Sequence, residues 1–200
     1  MFSRIIVALA LLAGASAFAP LTARPLRAGP LAAGLMETLE TATGPNEFWG
    51  SEGVLLGYEE NDVKGTTDFK LFAASARAAG VDLNAAEYTV LAPTDQAMKN
   101  AGKTSLTKDE VTLHMIPGKL SIDMIKKDIA TVNGKTLSYR RFARQDFLDD
   151  AIIGQTPQGA ATGQTYPSIA ADNGMIHSIG FVLYADYNTL SSEQGAANVR

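Results

Sequence analysis

The stretch that most constrains the chain is Tyr88-Thr-Val-Leu-Ala-Pro-Thr-Asp95. Residues 88–92 favour extended backbone, and Pro93 lacks the N–H that would continue a ladder. Thr94 and Asp95 follow at once, and either side chain can accept hydrogen bonds from the free N–H groups of a first helical turn. The pattern predicts a short strand that passes directly into a short helix containing Met98.

The neighbouring segments read in the same local terms. Asp68 is placed to cap a helix over about 69–79, with Phe69, Phe72, Ala73, Ala76 and Ala79 on one face and Gly80 as the stop. Thr107-x-x-Glu110 matches a capping box and opens a helix through about Met115, ended by Pro117-Gly118. Ile122, Ile125 and Ile129 share one side of a further short helix. Asn133-Gly134 and Asn173-Gly174 read as hairpin turns supplying positive φ, with strands at 135–139 and 175–183. Ile176, Ile179, Val182 and Leu183 are core candidates. Residues 155–167, rich in Gly, Gln, Thr and Pro, are expected to form an exposed loop, and the polar tail from Asn188 to fray. Helices gather in the first half and strands in the second, with one early strand, which is α+β rather than alternating α/β.

Composition removes several function classes. Apolar residues make up 46% and charged residues 19%, the balance of a globular chain rather than a disordered one. There is no cysteine, so disulfides, thiolate metal sites and cysteine nucleophiles are excluded. The two histidines, His114 and His177, have no metal-ligand spacing, and their expected role is a satisfied hydrogen bond inside the fold. A net charge of −4 argues against nucleic acid as a partner. Gly102-Lys103-Thr104 fails as a phosphate loop because the earlier glycine it needs is Ala97. Asp146, Asp149 and Asp150 lack the spacing of a calcium loop and read as a solvated face. Arg140, Arg141 and Arg144 form a basic cluster, suited to an acidic partner surface or lipid headgroups, or to pairing with acids such as Asp146. No nucleophile elbow or triad stands out, so no residue is assigned to catalysis and none to a metal. No cofactor motif is identified; a pocket for a pigment or lipid stays open.

The first 36 residues read as an address. Arg4 precedes the apolar run 5–12, and Ala15-Ser16-Ala17 fits a signal-peptide cleavage site. The run is too short for a stable membrane span. Residues 18–36 carry Arg24 and Arg27 and no acid, as transit segments do. The string Ala-Ser-Ala-Phe-Ala-Pro at 15–20 resembles the bipartite presequence of algae with secondary plastids, which implies a plastid location. Removing 1–36 takes away three arginines and no acid, so 17 basic residues against 21 acidic become 14 against 21, a net of −7. No second apolar segment suits thylakoid translocation, so the stroma or the stromal thylakoid face is expected rather than the lumen. Residues 37–65 are punctuated by glycines yet hold Phe48, Trp49, Leu55, Leu56 and Tyr58. Two readings stay open: a strap packed on the domain, or a partner site anchored by Phe48, Trp49 and Tyr58.

Five motifs in order resemble the fasciclin (FAS1) domain family. They are Phe69-Lys-Leu-Phe with Arg77-Ala-Ala-Gly80-Val81, Tyr88 through Met98, Leu113-His114-Met-Ile-Pro117-Gly118-Lys119, Asn133-Gly-Lys-Thr-Leu137, and Asn173-Gly174-Met-Ile-His177-Ser-Ile-Gly-Phe-Val-Leu183. Thr89, Pro93, Thr94 and Asp95 carry the first signature, and His114, Pro117 and Gly118 the central element. The resemblance covers about 66–185, leaving a signal at 1–17, a transit-like segment at 18–36, a strap at 37–65 and a tail at 186–200. It implies short helices packed on a compact β-sandwich or wedge, and a module that binds proteins or glycans rather than an enzyme. With the plastid leader, the expected partner is a photosystem or antenna complex, reached by a protein with no membrane span of its own and at most peripherally attached. A secreted adhesion protein is the alternative. The family often carries Tyr before the central His in connection with adhesion, whereas this chain has Leu113.

Overall fold

The computed structural model describes residues 33–60, 62–142, 145–154 and 168–187. In chain order the N-terminal elements are α1 (Leu35–Thr41), β1 (Asn46–Phe48), α2 (Ser51–Leu55), β2 (Val63–Thr66) and α3 (Lys70–Ala78). Then come β3 (Tyr88–Pro93), α4 (Asp95–Asn100), α5 (Lys108–Leu113) and β4 (Met115–Pro117). Five short strands follow: β5 (Ile129–Ala130), β6 (Thr136–Leu137), β7 (Tyr139–Phe142), β8 (Gln145–Leu148) and β9 (Ala151–Ile152). The last two strands are β10 (Ile169–Ala171) and β11 (Gly174–Ile179). Helices and strands are segregated as α+β.

β3 lies inside a four-stranded sheet of order β10-β11-β3-β4, parallel to β11 and antiparallel to β4. Alternation along the strands sends side chains to opposite faces. Val90, Ala92, Met115 and Ile176 join Leu35, Leu39, Phe72, Met98 and Val111 in a core beneath the helices. Leu91, Ile116 and Ile179 turn the other way, onto Leu137, Leu148 and Ala151 of the smaller sheets β5-β6 and β7-β8-β9, and onto Ile125 and Leu183 from the connecting segments. The central sheet is thus covered on both faces. At about 1.5–3 kcal/mol per fully buried large side chain, these two clusters dominate the stability of the fold.

Several local expectations hold. Thr94 caps α4 by accepting from Ala97 N–H at 3.1 Å. Thr107 and Glu110 form the reciprocal capping box of α5. Gly80, at φ +66°, ends α3 in a Schellman arrangement, with Val81 N–H on Ala76 C=O and Gly80 N–H on Arg77 C=O.

Other expectations are corrected, several of them by contacts remote in sequence. Asp68 does not cap α3. Its carboxylate pairs with Lys70, and the first-turn N–H of Leu71 goes instead to Asp95 Oδ1 at 2.8 Å. α5 ends at Leu113 rather than near Met115, because residues 115–117 pair with residues 88–90 as β4. Ile122, Ile125 and Ile129 do not share a helix. Only Ile122–Met124 forms a 3-10 turn, and Ile129 belongs to β5. The expected strand at 135–139 divides at Ser138 into β6 and β7, and the one at 175–183 stops at Ile179. Gly134 has the expected positive φ, +87°, but neither Asn173 nor Gly174 does. The aspartates are not a solvated face. Asp149 is buried and faces Lys135 at 3.3 Å, and Asp146 accepts from Tyr139 Oη at 2.6 Å and Lys126 Nζ at 2.9 Å. Burial pushes the Asp150 carboxyl up. The strap holds two early strands, β1 and β2, paired antiparallel. α1 spans positions 36 and 37, and its Leu35 and Leu39 are fully buried. The expected loop at 155–167 and the tail from Asn188 lie outside the described residues.

Candidate functional site

The signature residues lie on and around the two inner strands of the central sheet, where they join segments distant in sequence. Thr89 sits in mid-sheet, fully buried. Its hydroxyl donates to Gly118 C=O at 2.7 Å and accepts from Leu120 N–H at 2.8 Å. Gly118, at φ +91°, donates its N–H to Glu87 C=O at 2.8 Å. Pro117, in register with Tyr88, leads β4 into this turn. The turn is then tied to the far strands: Lys119 Nζ donates to Ala171 C=O at 2.7 Å. His177 Nε2 donates to Leu120 C=O at 2.8 Å, leaving Nδ1 to accept from the Ser168 hydroxyl at 2.8 Å.

His114 plays the equivalent part on the other side of β4. Its Nδ1 donates to Glu110 C=O at 2.7 Å and its Nε2 accepts from Leu183 N–H at 3.1 Å, so α5 is fastened to the chain leaving β11. The ring is completely buried beside Phe72. Burial lowers its pKa to about 4, against the smaller opposing pull of Glu110, so the neutral ring is the working form near neutral pH. Burial lowers His177 as well.

Asn173 is the busiest of these groups. Its Oδ1 accepts from Leu35 N–H at 2.9 Å, and its Nδ2 donates to Leu83 and Ala86 carbonyls at 2.9 and 3.1 Å. Its own carbonyl accepts from Tyr88 N–H at 3.1 Å. Gly174 follows because β3 passes too close for a side chain: a Cβ there would stand 2.0 Å from the Tyr88 carbonyl oxygen. Pro93 ends β3 opposite Ile179, and Thr94 N–H donates to the Ile179 carbonyl. Asp95 N–H donates to Asp68 C=O while its carboxylate accepts from Leu71, which binds the starts of α3 and α4 together. These polar groups are engaged in holding the fold.

The expected partner residues separate. Phe48 is buried at 8% exposure and offers no surface. Trp49 and Tyr58 stack at 4.6 Å, nearly parallel, and Lys64 lies over the Trp49 ring at 5.0 Å. The two rings close the loop between β1 and β2. Its tip then exposes Val54, Leu55, Leu56 and Val63, Leu55 at 91%. Arg140 lies over Phe147 and Arg141 approaches Asp146 at 3.9 Å, while Arg144 lies outside the described residues. Lys103 of the rejected phosphate loop pairs with Glu110. Burial alone would raise the Glu110 carboxyl, but Lys103 and the Thr107 hydrogen bonds hold it below the usual range. Beside the strap, a cleft of about 310 Å³ is lined by Glu47, Trp49, Glu52, Lys64, Gln96 and Asn100, among others. Its mainly polar wall does not suit an apolar pigment or lipid, whereas an open depression of about 550 Å³ along α3, lined by Glu40, Lys70, Ala74, Arg77 and Ala78, is mainly apolar. The exposed tip is the feature that reading the sequence missed. Its signal was Val54-Leu55-Leu56, three apolar residues in a row with no periodic continuation.

The class defined by these features is an α+β domain whose buried polar side chains staple a mixed central sheet to its flanking layers. The fasciclin-domain model matches residues 67–185, more than half of the chain, and the chain belongs to that family. Among solved structures, the chain is similar to a FAS1 domain pair from the insect cell adhesion molecule fasciclin I. Identity is 19%, with 64% of this chain and 47% of that one covered and a TM-score of 0.40. The chain therefore spans about half the length of that structure. Among curated proteins none matches. No helix among the described residues is long and apolar enough to cross a membrane.

Proposed function

We propose that this chain is a non-catalytic docking module of the plastid, an accessory subunit carried by a thylakoid photosynthetic complex. The observation that carries the docking reading is the fate of the signature polar groups. Thr89, Asp95, His114, Asn173 and His177 spend their side chains on internal hydrogen bonds, so the residues that mark the family serve the scaffold. A scaffold of this kind acts by what it presents. The plastid assignment is supported by the acid-free leader and its Ala-Ser-Ala-Phe-Ala-Pro string. Leu113, where an adhesion domain would carry Tyr, is fully buried and offers nothing to a cell-surface partner.

Fusing residues 1–36 to a fluorescent protein in an alga with a secondary plastid tests the address. The fusion is expected inside the plastid; its export would favour a secreted adhesion protein. The full chain is expected to sediment with thylakoid complexes under mild detergent. Recovery only as a free soluble protein would overturn the docking reading.

A further inference from the structure

The surface beyond the staples carries one dense apolar feature. Of the ten large hydrophobic side chains exposed among the described residues, five lie within ten positions: Val54, Leu55, Leu56, Tyr58 and Val63. Single exposed apolar residues are ordinary, but a cluster marks a contact surface. The loop that bears them is built rather than loose. Trp49 N–H and Gly50 N–H donate to Asp62 and Glu60 carbonyls, both at 3.0 Å, and Tyr58 N–H donates to Gly53 C=O at 2.9 Å. A Cβ on Gly53 would stand 2.4 Å from the Trp49 Cβ, so the turn packs directly on the stacked rings. The aromatic pair braces the loop by stacking, and the aliphatic residues are held outward. A preorganised projection of this sort loses little entropy when it binds.

Charge selects the occupant. The tip segment carries Glu52, Glu59, Glu60 and Asp62, all exposed, and the nearest base in sequence, Lys64, is drawn back over the Trp49 ring. Such a segment is repelled by an anionic leaflet, and two copies would set like charges against each other. We infer that the tip bearing Glu52 to Glu60, Asp62 and Val63 inserts into an apolar pocket on a partner protein whose margin is lined with Lys and Arg. This deepens the docking reading above and rests on it: Leu55 and Leu56 are the anchors, and the acids set orientation and association rate.

The test uses the full chain in its own plastid. Leu55→Glu with Leu56→Glu removes the anchors at exposed positions, so the protein should fold with an unchanged melting curve. Comigration with the complex should be lost, and affinity for the copurified partner should fall about tenfold or more. Glu59→Gln with Glu60→Gln should weaken binding less and flatten its salt dependence. Phe142→Glu, at another exposed apolar position, should leave comigration intact. A photo-cross-linking residue replacing Leu55 should label a partner peptide bearing Lys or Arg beside apolar residues. Undisturbed comigration of the Leu55/Leu56 variant would overturn the inference while leaving the docking reading standing. So would cross-links into lipid or a second copy of this chain. If the unaltered chain comigrates with nothing, the docking reading fails first and the tip falls with it.

Discussion

The staple region and the strap tip invert the usual placement of side chains. In the first, histidine, asparagine and threonine lie in the interior with their hydrogen bonds made. In the second, leucine and valine stand in water on a segment that also carries four exposed acids. A buried polar group is tolerated only when partnered, so each staple stabilises one arrangement of distant segments and penalises the alternatives. An exposed apolar group gains nothing for the isolated fold, which is the ground for proposing the tip as a contact surface.

The largest expected effect follows from two glycines, one in the staple region and one in the strap that carries the tip. Gly174→Ala would drive a Cβ into the Tyr88 carbonyl, backbone against backbone, and the β3–β11 pairing would have to part. A loss of about 4 kcal/mol in unfolding free energy is expected from an overpacked backbone contact. Gly65→Ala in β2 meets nothing within 4 Å and needs no positive φ. It should change stability by no more than about 0.5 kcal/mol. Denaturant unfolding of both variants checks the contrast, and equal losses would erase it.

The second effect is one of pH. His114 has its ordinary value of 6.5 when unfolded and about 4 when folded, because burial disfavours the charged ring. Between those values the unfolded chain binds the additional proton, so stability falls as pH drops below 6.5 and levels off near 4. The whole shift corresponds to about 3 kcal/mol. His177 is displaced in the same direction and adds to the slope. Glu110 and Asp146 are held low and contribute only at more acid pH. Unfolding free energies measured from pH 7 to pH 5 should decline, and His114→Gln should flatten the decline while lowering stability throughout. A flat profile in the unaltered protein would mean that the ring is not buried neutral.

What the sequence made legible was local. The Thr107–Glu110 box, the Gly80 stop and the strand that ends at Pro93 depend on neighbours within a few positions, and all three form as expected. The misreadings involve contacts that cross the chain. Local preference carries the helix through about Met115, but pairing of residues 115–117 with residues 88–90 ends it at Leu113 and makes that stretch a strand. Ile122, Ile125 and Ile129 have helical spacing, yet Ile125 is drawn into the lower core and Ile129 pairs with Leu137. Asn173-Gly174 looks like a turn chosen for its φ. In fact Asn173 reaches Leu35, 138 positions away, and Gly174 makes room for β3. The tip was hidden for the opposite reason. Trp49 and Tyr58 attract attention as aromatic anchors, and only the fold shows that they are occupied with one another.

The smallest expected effect separates a cross-chain contact from local ones of the same chemistry. Asp68 and Asp95 both stand near the start of α3, and only Asp95 accepts from its Leu71 N–H. Asp95→Ala removes that acceptor from a partly buried N–H and should cost about 1 kcal/mol, as the loss of a helix cap does. Asp68→Ala removes an ion pair with an exposed lysine and should leave the unfolding curve unchanged. Asp62 in the strap accepts from Glu59 N–H, three residues away and exposed, and water can replace it there. Asp62→Ala should therefore resemble Asp68→Ala more than Asp95→Ala. A ranking with Asp95 last would show that the α3–α4 joint is not among the contacts that hold the body together. The division between a stapled interior and a freely presented tip would then have to be drawn elsewhere in the chain.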